Sequence, residues 1–287
     1  MNDVNISLSH LCLEIAQWLL IVALFLMLLR RKSHSRPLVK TSTAGSCNCK
    51  ESINSISFLG GFCVRNREGE DISSLFSPIL RKLLAALVVH SVSDKQGVLG
   101  EKIDSLVWGY KPEGTATNNR NVYLSRLRKA LEGVDGVSIS TRNQLTSIYF
   151  SPEASCDYIE IMRLYGMETQ LVDIDKLLSL LSKGDPFTNM NDEWLKDFRD
   201  EFSIMTVSFF SQLLSHENLS SATRLKVSEI IVHYDKLNEP ALKTRCRLYQ
   251  QQGNLSFSKE IYEQYRRDYK ELIGEEYHQS FKDVLSM

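Results

Sequence analysis

The side chains best suited to chemistry cluster in residues 116–132, which read ATNNRNVYLSRLRKALE. Four cations, Arg120, Arg126, Arg128 and Lys129, stand there against one acid, Glu132, with Asn119, Asn121, Tyr123 and Ser125 interleaved. The paired donors and acceptors of Arg and Asn match the edges of guanine and adenine in a DNA major groove. Further Arg and Lys side chains neutralise phosphates. A solvated cationic helix face is the plainer use of the same residues. Elsewhere the chemistry is sparse. There is no G-x-x-x-x-G-K-[ST], G-x-S-x-G or H-E-x-x-H motif, and the six histidines are scattered. The six cysteines include one close pair, Cys47 and Cys49, and a lone C-x-C is a poor zinc signature. Binding is expected and catalysis is not, with no cofactor, no metal and no small-molecule substrate.

Leu124, Leu127 and Leu131 fall at i, i+3 and i+7, so the basic segment reads as a helix with one apolar stripe. Arg120, Tyr123 and Arg126 lie away from that stripe. The elements before it must form the surface on which the stripe rests. Apolar alternation in residues 53–64 around Gly60-Gly61 predicts two short strands, and residues 71–73 a third. Ser77 and Pro78 suit the cap and first turn of a helix that carries Ile79, Leu80, Leu83, Leu84, Leu87 and Val88 at helical spacing. A second helix is expected over 98–108, ended by Gly109. After the basic helix, residues 137–141 and 145–150 are β-like and are joined by Arg142-Asn143-Gln144. Strands, two helices, a basic helix and a hairpin give the layout of a winged helix-turn-helix.

Residues 152–287 read as helices at 153–166, 172–183, 192–216, 219–235, 239–252 and 256–273, with Asp192 as a cap. The last three form antiparallel hairpins. The spacing of Ala241, Tyr249, Gly253, Tyr262 and Tyr265 is like that of a tetratricopeptide unit.

Several of these segments resemble a known family. Ser77-Pro78 with Leu83-Leu84, then Leu106-Val107-Trp108-Gly109, then Asn118-Asn119 followed by Leu124-Ser125-Arg126-Leu127-Arg128-Lys129-Ala130-Leu131 resemble the effector domain of OmpR/PhoB-type regulators, in the version carried by SARP-type activators. Asp192-Glu193-Trp194-Leu195 and the run from Tyr262 through Tyr265-Arg266 to Gly274 resemble the bacterial transcriptional activation domain that follows it. The resemblance covers roughly residues 53–275. It implies that Asn121, Tyr123, Ser125 and Arg126 meet base edges, that Arg128 meets phosphate, and that Arg142 lies in a wing facing the minor groove. The chain departs from the family at that wing, where Asn143-Gln144-Leu145-Thr146-Ser147-Ile148-Tyr149-Phe150 stands in place of a glycine-rich turn followed by Gly-Tyr-x-Leu.

The chain has 287 residues, 43% hydrophobic and 24% charged, and its net charge of −1 conceals segregation. Residues 1–29 carry −2, residues 30–50 carry +6, residues 53–151 carry +3 and residues 152–287 carry −7. Residues 11–29 are almost wholly apolar and would reach roughly 28 Å as a helix, close to a bilayer core. The following Arg30, Arg31 and Lys32 then predict a single pass with the remainder in the cytoplasm. Residues 33–52 read as a linker.

The expected fold class is one transmembrane helix (1–32), a linker (33–52), an α+β winged helix-turn-helix domain (53–151) and an all-α tetratricopeptide-like domain (152–287). The expected function is that of a bacterial transcription regulator anchored in the inner membrane. Its partners would be double-stranded DNA, the membrane, and a protein: RNA polymerase, a second copy or a membrane sensor. DNA contact falls to Asn119, Arg120, Asn121, Tyr123, Ser125, Arg126, Arg128, Lys129 and Arg142. A membrane-tethered adaptor whose winged helix no longer binds DNA is the alternative.

Overall fold

A computed structural model of the chain describes residues 53–93, 97–109, 115–216 and 219–286. Its elements are β1 (Ser55–Ser57), β2 (Cys63–Arg65), α1 (Pro78–Ser93), β3 (Val98–Leu99), α2 (Gly100–Trp108), α3 (Thr115–Ala130), β4 (Val137–Arg142), β5 (Leu145–Phe150) and β6 (Ser155–Cys156). Seven helices follow: α4 (Asp157–Tyr165), α5 (Ile174–Leu181), α6 (Trp194–Leu214), α7 (Ser221–Tyr234), α8 (Glu239–Gln251), α9 (Leu255–Ile273) and α10 (Phe281–Ser286).

Helices dominate, with two small three-stranded sheets ordered β2-β1-β6 and β3-β5-β4. This corrects the expected fold class, in which a membrane-spanning helix came first. Among the described residues no helix is long and apolar enough to cross a membrane. The longest, α6, carries Lys196, Asp197, Arg199, Asp200 and Glu201 within 21 residues, and charges of that density are costly in hydrocarbon. The proposed span at 11–29 and linker at 33–52 lie outside the described residues. The expected single-pass location in the inner membrane is withdrawn with the span.

Helix α1 organises the core. Ser77 accepts from the Leu80 amide at 3.5 Å and Pro78 opens the first turn, as capping chemistry requires. Every residue from 83 to 89 is 1% exposed or less, so α1 is covered on all sides. α2, α3, β3 and β5 cover one flank and α4 another. Near the start of α6, Asp192 pairs with Lys82 at 2.6 Å and Phe198 meets His90 edge-on at 5.3 Å between ring centres. Asp192 therefore does not cap α6, because its carboxylate is drawn to α1 instead.

β1 pairs antiparallel with β2, Ile56 opposite Val64, and parallel with β6, Ile56 opposite Cys156. Between β1 and β2, Gly60 has a φ of 69°, and a Cβ there would lie 1.8 Å from the Lys183 carbonyl oxygen. Glycine is obligatory at so close an approach. The residues expected as a third strand, 71–73, instead make a single bridge, Asp71 to Arg65, before a 3-10 turn over Ser73–Leu75. β6 and β3 are two-residue strands in places read as the starts of helices.

Across residues 151 and 152 the chain does not leave the core. One apolar cluster runs from Ile56 to Ala241, and a smaller one joins Leu242, Cys246, Tyr262, Tyr265 and Tyr277. Asp157, opening α4, is the polar pin. Its buried carboxylate accepts from the Phe58 amide at 2.8 Å and lies 3.5 Å from the Lys183 ammonium. Burial pushes that carboxyl above the usual carboxylate range, opposed by the Phe58 amide and Lys183. In the helical half, Asp173, Ser220, Asn238 and Asn254 cap α5, α7, α8 and α9, each accepting a backbone N–H from the first turn. Consecutive helices from α6 to α9 pack on one another.

A further ion-pair group ties α4 to α5. Arg163, through its hydrogen bond, and then Lys176 hold Glu160 well below its ordinary 4.5, at about 2. A carboxyl depressed in the folded state stabilises the fold above its unfolded pKa, and that contribution is lost on acidification. Unfolding followed in urea should show wild-type stability falling between pH 4.5 and about 2. Glu160→Gln should flatten that part of the slope, and an unchanged slope would contradict the assignment.

Candidate nucleic-acid interface

Four contacts set the position of α3. Leu124, Leu127 and Leu131, each 4% exposed or less, seat its apolar stripe in the core beside α1 and α2. Near its N-terminal end, Arg120 donates to Asp104 of α2, the two side chains being 15% and 13% exposed. The Arg120 guanidinium lies against Gly100, where a Cβ would come within 2.5 Å of it. A side chain at that position would push the guanidinium aside and disturb its bond to Asp104. Burial pushes the Asp104 carboxyl up, and Arg120 pulls it back. Midway along the helix, Tyr123 meets Trp108 of α2, with ring centres 5.7 Å apart.

The fourth contact joins α3 to the hairpin. Arg128 donates from Nε to the Ile139 carbonyl and from a terminal nitrogen to Thr141 Oγ1, both at 3.1 Å. Thr141 in turn is 3.3 Å from the Thr146 hydroxyl across the hairpin. The turn is two residues long, and both Asn143 (φ 49°) and Gln144 (φ 66°) are left-handed. That geometry matches the twist of tightly joined strands. The Gln144 carbonyl accepts from the Gly100 amide at 3.0 Å, fastening the hairpin tip to the start of α2.

What remains is an outward surface. Asn121, Ser125, Arg126 and Lys129 of α3 are exposed, as is Arg142 at the hairpin tip. Arg126, Lys129 and Arg142 have no acidic partner among the described residues, so their charge is available to an incoming polyanion. Asn119 and Tyr123 are half-buried, Arg120 is held by Asp104, and Arg128, although exposed, is tied to the hairpin. Eight of the nine expected residues thus divide into a presenting set and a holding set, and half-buried Asn119 belongs to neither.

Two residues that sequence reasoning passed over also lie on this surface. Val122 is 48% exposed beside Asn121 and Ser125. It sits four residues after Asn118 and three before Ser125, and that spacing was its signal. Tyr149 is 51% exposed on β5, opposite Ser138. Hydroxyls of Ser147 and then Ser140 bring its phenol below the usual range, with Arg142 adding to the effect. Strand alternation marked Tyr149 as outward-facing.

The holding set should show itself in stability. Asp104→Ala leaves the Arg120 charge uncompensated in a mostly buried place, at a cost of about 3 kcal/mol. Asp104→Ala with Arg120→Ala should cost less than the two single changes added together. Urea midpoints at constant slope measure both. A cost near zero for Asp104→Ala would show that the pair does not hold the two helices.

Among known proteins, no family model matches the chain, and no curated protein matches it. Among solved structures it is similar to Mycobacterium tuberculosis EmbR, determined in complex with a low-affinity phosphopeptide, at a TM-score of 0.53 and 16% sequence identity. The likeness covers 80% of this chain and 63% of that chain, so this chain spans under two thirds of the neighbour's length. At that identity the likeness is one of fold alone.

Proposed function

We propose that this protein is a transcription regulator that binds double-stranded DNA through α3 and the β4–β5 hairpin. The observation that carries the reading is the presenting surface: Asn121, Ser125, Arg126 and Lys129 on one exposed helix face, with Arg142 at the adjoining tip and no acid pairing the three cations among the described residues. A helix of this kind fits the major groove, where Arg pairs with guanine and Asn with adenine. Val122 would add an apolar contact of the sort that recognises a thymine methyl. Lys129 and Arg142 would meet phosphate and the neighbouring groove.

The helical half is a protein-contact surface in this reading. Its charge of −7 repels DNA, which leaves RNA polymerase or a second copy as partners. No step of the reading calls for catalysis, a cofactor or a small-molecule substrate. The SARP-like fold makes the same reading the natural one.

Gel-shift titration of the full chain against the DNA upstream of its own gene tests the proposal. Binding at low salt should weaken steeply as salt rises. Arg126→Ala should cost about 1–3 kcal/mol and relax specificity at one position. Lys129→Ala should weaken all sequences alike and lower the salt slope by about 1. No shift at low salt, or binding indifferent to Arg126→Ala, would overturn it.

A further inference from the structure

Arg126 is not a free-standing side chain. Its guanidinium carbon lies 5.2 Å from the centre of the Tyr123 ring. That ring lies 5.7 Å from the Trp108 ring, inclined by 51°. Trp108 is the last residue of α2, and Gly109 after it turns the chain with a φ of 69°. A stack of three side chains therefore runs from the end of one helix to the exposed face of the next. Lys129, one turn further on, has no such aromatic support among the described residues.

A guanidinium recognises a base edge only when its planar fork has the right orientation. A long arginine side chain loses rotamer freedom when it is fixed, and that loss weakens binding. A ring face attracts the cation and restricts it before a partner arrives. Tyr123 is half-buried between Trp108 and Arg126, so its own edge is poorly placed to reach outward.

We propose that Tyr123 is a positioning residue for Arg126 and not itself a base contact, its ring propped by Trp108 so that the specificity of α3 depends on α2. The proposal rests on the DNA-binding reading above. It changes the role that sequence resemblance gave to Tyr123, and it adds Trp108 to the residues on which recognition depends.

The test is selection from a pool of random-sequence DNA duplexes by the full chain, followed by sequencing of the enriched sites. Arg126→Ala should lose the preference at one base pair. Tyr123→Leu should lower the preference at that same base pair by about tenfold, while affinity for unselected duplexes changes less than about threefold. Tyr123→Phe keeps the ring and should keep the preference. Tyr123→Leu added to Arg126→Ala should bring no further loss of selectivity, as expected when one residue acts through the other. Tyr123→Met, which fills the volume without a π face, should repeat the Leu result if Leu perturbs folding. Preference unchanged in Tyr123→Leu and Tyr123→Met, or lost at a different base pair, overturns the proposal. A wild-type chain that enriches no site overturns the DNA-binding reading beneath it, and that failure is visible before any variant is compared.

Discussion

The structure depends on one helix whose central turns, residues 83–89, have no solvent face. From residue 83 to 89, α1 is sealed by α2, α3, β3 and β5 on one flank and by α4 on another, and its Lys82 and His90 reach the start of α6. An apolar helix of this kind cannot satisfy its surface with either half alone. Burying it on all sides yields roughly 1.5–3 kcal/mol per large side chain relative to exposure, and both halves contribute the cover. The position of the basic surface of α3 and the hairpin relative to the acidic helices is thus set by side chains packed on the same helix.

Cations on and around α3 divide the labour. Arg120 and Arg128 hold: one fixes the angle to α2 over Gly100, the other fastens the hairpin through a carbonyl and a threonine. Arg126, Lys129 and Arg142 present. Holding residues make well-directed hydrogen bonds, where a guanidinium serves better than an ammonium because its donors are arranged in a rigid fork. The short, closed hairpin matters for the same reason. Its tip is tied to Gly100, so Arg142 is offered from a braced turn and not from a long loop.

Periodicity made the larger elements legible. The stripe Leu124, Leu127, Leu131 and the apolar run of α1 marked their helices, and alternation marked the hairpin, because each pattern is local. What was not legible depends on partners far along the chain. β3 is a strand only because Val98 and Leu99 find Thr146 and Leu145, and β6 only because Ser155 and Cys156 find β1. Asp192 carried the signature of a helix cap, yet Lys82 claims it. Arg120 and Arg128 looked like Arg126 in composition, since a sequence shows a charge but not the carboxylate or carbonyl that awaits it. The apolar run at 11–29 had a clear hydropathy pattern, but among the described residues nothing answers to a membrane span.

The parallel pairing of β1 with β6 has a consequence for how the chain is made. Ser55 and Ile56 meet partners about a hundred residues later, beyond the hairpin. During synthesis the β1–β2 ribbon, the helices and the hairpin would all be out of the ribosome while one edge of β1 still waits for residues 155 and 156. An open strand edge is a template for pairing with other chains, and closure over so long a separation is slow. The first half of the described chain is thus a guest of the second during its own folding, and a chain cut after the hairpin would carry that unclosed edge permanently.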